Sequence, residues 1–177
     1  MGGMRNFIPV NIAVLSVSDT RSLSDDKSGD LLEERIRKSG HNVVGRLIVT
    51  DDLDKIVDAL FKWIKSDDVD VVLSTGGTGL TGRDVTVEAH RQLYDKEIDA
   101  FSTMFTNISM TKVGVSALQS RACGGIALGK YLFALPGSPS ACKDAWDDIL
   151  VFQLDYRNRP CNLVEILPRL SETERRK

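Results

Sequence analysis

Apolar residues in this chain gather in short unbroken runs, and between the runs they recur at helical spacing. The first run, VNIAVLSVS over Val10–Ser18, is continuous enough for a strand covered on both faces. The next stretch, DTRSLSDDKSGD, is polar, rich in turn residues and aperiodic, and reads as a loop. LLEERIRKSG has apolar Leu31, Leu32 and Ile36, late basic residues and a closing Gly40, the pattern of a helix. HNVVGRLIV reads as a second strand. Leu53, Ile56, Val57, Leu60 and Ile64 then mark a second helix, with Asp51 or Asp52 as its N-cap. VDVVLS is a third strand; it stops at a glycine-rich turn, after which VTVEAHRQL is helical again.

Strand and helix thus alternate three times, as in a parallel sheet with right-handed crossovers. Further on, Ile98, Phe101, Phe105 and Ile108 form a helical stripe that faces either the core, the default, or a subunit interface. YLFALP (Tyr131–Pro136) is another buried strand, ended by PGSPS, and ACKDAWDDILVFQL follows as a helix. CNLVEILPRL reads as an extended edge segment and SETERRK as a frayed, solvated tail. No repeat, low-complexity segment or linker interrupts the 177 residues. The expectation is a single α/β domain around a mostly parallel sheet.

Composition narrows the partners. Hydrophobic content of 42% and charged content of 27% are ordinary for a globular domain. A net charge of -2 argues against a broad basic surface for nucleic acid or a membrane. No run approaches the ~18 apolar residues of a membrane span, and no leader pattern opens the chain, so a cytoplasmic setting is expected. Cys123, Cys142 and Cys161 lack CxxC spacing and read as buried or half-buried thiols. His41 and His90 read as helix or strand surface residues rather than catalysts.

Chemistry concentrates at two loops that leave strand ends, STGGTGLTGRD and PGSPSA. In an open parallel sheet, ligands bind at that edge. Glycines let backbone N–H groups approach an anion, the following helix adds its positive dipole end, and Thr75, Thr78 and Ser138 offer hydroxyls. The pattern is neither a Walker A loop nor GxGxxG, and a plain tight turn accounts equally for the glycines. Asp84 is either a helix N-cap or, with Asp51 at the same edge, a carboxylate for Mg²⁺ on phosphate oxygens. Arg83 is either a solvated side chain or a cation that offsets developing charge.

STGGTGLTGRDVTVEA and LPGSPSACKDAWDDIL, with IAVLSVSDTR and SGDLLEERI, closely resemble the MoaB/MogA family of molybdenum cofactor biosynthesis proteins. The resemblance runs over roughly residues 8 to 170, and FIPVNIAVLSVSDTR and RPCNLVEILPRL look like its MoaB branch. It implies a three-layer α/β/α fold, homo-oligomers (trimers or hexamers), molybdopterin binding, and Mg²⁺- and ATP-dependent adenylylation of molybdopterin. A non-catalytic molybdopterin carrier or scaffold is the alternative, and other proteins of the pathway are possible partners. By the same resemblance Asp51 and Asp84 serve adenylylation and hold Mg²⁺. Thr75, Gly76, Gly77, Thr78 and Gly79, with Pro136, Gly137 and Ser138, contact pterin and phosphate, and Ser18 lies where the first strand opens to the site. Two positions depart from the family pattern: Val87 and Thr50 stand where proline is frequent, and neither change removes a chemical group.

Overall fold

The computed structural model describes residues 5–172. Its six strands are β1 (Asn11–Val17), β2 (Asn42–Val49), β3 (Val71–Thr75), β4 (Lys96–Glu97), β5 (Cys123–Ala127) and β6 (Lys130–Leu135). They make one sheet in the order β2-β1-β3-β6-β5-β4. β2, β1, β3 and β6 are mutually parallel, while β5 pairs antiparallel with β6 and β4 antiparallel with β5. The sheet is therefore mostly parallel, as expected, with an antiparallel edge that the sequence reading missed. β5 is CGGIA, too glycine-rich to register as a strand, and β4 is only Lys96 and Glu97. β5 exists because the Leu128–Gly129 turn, with φ of 48° and 79°, folds it back onto β6 as a two-residue hairpin.

Alternate strand residues feed two cores, which makes the layers α/β/α. On one face Ile12, Val14, Leu73 and Phe133 pack with residues of α1 (Lys27–Lys38), α4 (Asp99–Val113) and the C-terminal helices. On the other, Ala13, Leu15, Val72 and Leu132 meet α2 (Leu53–Ile64) and Ala89 of α3 (Thr86–Leu93). Each fully buried Leu or Ile contributes on the order of 1.5–3 kcal/mol. Phe101 and Phe105 of α4 belong to the first core, the default reading of that stripe.

Several local expectations are corrected. α1 starts at Lys27, inside the stretch read as a loop, because Asp26 caps it by accepting from Gly29 N at 3.1 Å. Asp26 is fully buried, bonded to Ser16 and paired with Arg46 of β2 at 3.1 Å. Asp52 rather than Asp51 caps α2, accepting from Lys55 N at 3.1 Å. α5 (Pro139–Ala145) runs through a π-turn, Trp146–Leu150, into α6 (Val151–Gln153). The CNLVEILPRL segment is not an extended edge: Asn162 caps α7 (Leu163–Ile166), whose Val164 is buried in the first core. Of the tail read as frayed, Thr173–Lys177 lie outside the described residues.

The histidines are not on the surface. His41 is 5% exposed and accepts from Val10 N at 3.2 Å; His90 is fully buried. Cys123 and Cys142 are buried, whereas Cys161 is exposed; all three are free thiols. No described helix is long and apolar enough to cross a membrane.

Candidate functional site

The carboxyl ends of β1, β3 and β6 lie side by side, so the loops leaving them share one edge of the sheet. β3 turns at Gly76 and Gly77, whose φ values are 96° and 62°. Gly77 has no room for a side chain: a Cβ there would strike Thr86 Oγ1 and lie 2.7 Å from Asp51 Oδ1. Gly76 N donates to Leu135 O at 3.1 Å, and a Cβ on Gly137 would come within 3.0 Å of Gly76 Cα. The two loops thus pack backbone against backbone.

Beyond Gly77 the loop is held by Arg121. Its Nε donates to the carbonyls of Thr78 and Gly79, both at 3.0 Å, and one terminal nitrogen donates to Asp84 O at 3.1 Å. Glu88 of α3 pairs with the same guanidinium. Asp84 does not cap α3. Val85 occupies the N-cap, and no side chain caps that helix. The Asp84 carboxylate instead accepts from Thr81 N at 2.8 Å and Thr81 Oγ1 at 2.7 Å, closing the loop on itself. Burial pushes its pKa up, but the Thr81 and Gly79 hydrogen bonds and the Arg121 charge outweigh this and hold it below the ordinary value.

Asp51 follows β2 and behaves oppositely. Burial, then the negative charges of Asp19 and Asp84, raise its pKa, and Arg83 offsets only part of this. Asp19 takes the Asp51 N–H at 3.1 Å and a two-nitrogen grip from Arg83, at 3.2 Å from Nε and 2.7 Å from NH2. Arg83 is therefore exposed but paired, and it ties the β1 loop to the glycine loop. Among the described residues no three or more His, Cys, Asp and Glu side chains gather as a protein-only metal site.

Pro136 O accepts from Thr75 Oγ1 at 3.0 Å, and Gly137 O accepts from Ser28 Oγ at 2.9 Å and Arg21 NH1 at 3.2 Å. Ser138 caps α5, accepting from Ala141 N at 3.2 Å. Ser18 Oγ accepts from the N–H groups of Thr20 and Arg21, and Thr78 is 3% exposed. The fold brings Asp51, Asp84, Gly77 and Gly79 together over one turn and interlocks Thr75, Gly76, Pro136 and Gly137. The Thr75 hydroxyl is committed to Pro136, whereas Ser18 and Ser138 accept through Oγ and keep their O–H groups as donors beside the backbone N–H groups of the turn. Sequence reasoning missed Asp19, Arg21 and Ser28, which sit inside the DTRSLSDDKSGD stretch read as a loop. It also missed Arg121, whose role has no local signal because the glycine loop it grips is far away in sequence.

Residues 13–156 match the family described as a probable molybdopterin binding domain. The chain is 47% identical to molybdenum cofactor biosynthesis protein B of Escherichia coli (strain K12), over 88% of this chain and 92% of that one. It is 39% identical to a probable molybdopterin adenylyltransferase of Methanocaldococcus jannaschii, over 77% of this chain and 85% of that one. A crystal structure of molybdenum cofactor biosynthesis protein B superposes with a TM-score of 0.85 at 39% identity, covering 94% of this chain and 98% of that one.

Proposed function

The chain belongs to the MoaB/MogA family of molybdenum cofactor biosynthesis proteins, and on that premise we propose that it adenylylates molybdopterin with ATP. The name of the Methanocaldococcus jannaschii relative favours this reading. The observation that carries it is the pair Asp51 and Asp84, brought from two strand ends to one glycine turn, where the charge of Asp84 helps to raise the pKa of Asp51. Asp84 also closes the turn on Thr81, but the Asp51 carboxylate caps no helix.

The terminal phosphate of molybdopterin attacks the α-phosphate of ATP, the P–O bond to the β-phosphate breaks, and pyrophosphate leaves. The nucleophile is already an anion, so no general base is required. This agrees with both histidines being buried and committed to the fold. The work left to the chain is positioning and charge neutralisation. Backbone N–H groups of the glycine loop and the uncapped start of α3 receive phosphate oxygens. Rigid packing of Gly137 on Gly76 fixes the second wall.

The donor set fits Mg²⁺: it is all oxygen, with one carboxylate whose negative charge is poorly compensated. Asp51 and Asp84 would hold the ion, which when bound offsets phosphate charge. Self-association is part of the same proposal, supported by the exposed apolar Val115 and Leu118 in the turn Gly114–Gln119. A cytoplasmic setting, where molybdopterin and ATP are at hand, completes it.

Pyrophosphate release from molybdopterin, ATP and Mg²⁺ tests the reading. Release should require all three components and fall by about 100-fold or more in Asp84→Ala and Asp51→Ala. Both variants turning over at the native rate would refute the assignment. Tight molybdopterin binding without pyrophosphate would make the protein a carrier.

A further inference from the structure

Among the described residues, two buried side-chain polar atoms have no hydrogen-bond partner, Arg46 Nε and Thr86 Oγ1. The first is incidental to a guanidinium whose other nitrogens hold Asp26, Asp30 and Glu33. The second has no such explanation. Thr86 is the first residue of α3 and is fully buried, and its only polar side-chain atom is the one left unpaired. A dry, unpaired hydroxyl destabilises a fold, and valine would fill the same space without that cost. Threonine is also no better a helix former than valine.

The hydroxyl is not randomly placed. It lies over Gly77 together with Asp51 Oδ1, both within clashing distance of the same point, the Cβ that Gly77 lacks. Val17 Cγ1 closes the apolar side of this space at 3.1 Å from that point. The Thr86 N–H is spent on Gly77 O at 2.9 Å, which fixes the residue against the turn and leaves the hydroxyl as its free group. A neutral oxygen thus faces a carboxylate across a glycine, at the start of a helix that no side chain caps.

We propose that the Thr86 hydroxyl is an oxygen ligand to the divalent cation that Asp51 binds, kept unpaired in the free protein so that the ion can take it. The inference rests on the Mg²⁺ reading of Asp51 and adds a third, uncharged donor to it. Hard cations accept hydroxyl oxygen beside carboxylate, and a neutral donor satisfies coordination without adding repulsion to the acidic group around Asp51. The unpaired hydroxyl then has a use that outweighs its cost to the fold.

Mn²⁺ alone, titrated into the purified full chain and followed by the electron paramagnetic resonance signal of the free ion, provides the test. Thr86→Val should weaken Mn²⁺ binding about tenfold, Thr86→Ser should restore it, and metal-free Thr86→Val should melt at or above the native temperature. Native Mn²⁺ affinity in Thr86→Val overturns the inference. So does metal-free Thr86→Val melting well below the native protein, which would make the hydroxyl a structural group. Asp51→Asn separates the two readings: weaker Mn²⁺ binding in Asp51→Asn with native affinity in Thr86→Val removes only the Thr86 ligand. No Mn²⁺ binding by the native chain, or no loss in either variant, removes both.

Discussion

The turn after β3 and the loop after β6 touch at Gly76 and Gly137, yet they are held by different means. The glycine turn is pinned largely by charge: Arg121 grips three of its carbonyls, Asp84 folds back on Thr81, and Arg83 reaches across to Asp19. The other loop is pinned largely by hydroxyls, from Thr75 on Pro136 and Ser28 on Gly137, with Arg21 at its rim. The titratable groups beneath them differ too. Under the first lies His90, between Ser74 at 2.8 Å and Tyr94 at 3.2 Å. Under the second lies Cys142, 3.1 Å from Thr75. The first loop is therefore the half of the edge held by charge, and the second is the wall, held by hydroxyls, that it packs against.

The sharpest way to break this contrast is Gly77→Ala. A side chain at φ 62° is strained, and here it would also meet Thr86 and Asp51. Stability should fall by about 3 kcal/mol or more, and adenylylation should be lost, measured by urea unfolding and pyrophosphate release. Arg121→Ala comes next. It should cost about 2 kcal/mol and speed amide hydrogen exchange over residues 78–84, with exchange at residues 136–138 unchanged. Equal acceleration in both loops would show that they are one unit.

A third comparison uses pH. Burial pushes His90 down to about 3 and Cys142 up to about 11. A histidine whose folded pKa lies below its unfolded value of about 6.5 contributes stability that is complete above that pH and is lost as pH falls towards the folded pKa. Between pH 7 and 5 this amounts to about 2 kcal/mol, and His90→Gln should flatten that part of the profile. Cys142 stays protonated throughout this window, so the second loop contributes no acid sensitivity. Ser28→Ala should be the mildest change, about 1 kcal/mol, with pyrophosphate release close to native. A large loss of activity there would make the second loop more than a wall.

The parallel half of the fold and the place of the two loops were legible in the sequence, because β1, β3 and β6 are continuous apolar runs ending in breakers. β5 was not, since its glycines are required by the close approach of Phe133 and Tyr94 from elsewhere in the chain, which no local signal shows. The buried histidines were misread for a related reason. His90 sits on a polar-looking helix, and nothing local to it announces Ser74 beneath. At the site, Asp51 and Asp84 could be named from motif and edge position. The ring of groups that sets their charge, Asp19, Arg83 and Arg121, depends on contacts between distant segments and had to be seen.

The uneven edges of the sheet bear on solubility. At one end stands β4, two charged residues long; at the other stands β2, eight residues long and carrying exposed Val44 and Leu47. Short, charged edges resist pairing with another chain, whereas long ones invite it. Two copies joined through β2 would turn only their short, charged β4 ends outward, which disfavours further backbone pairing along this sheet.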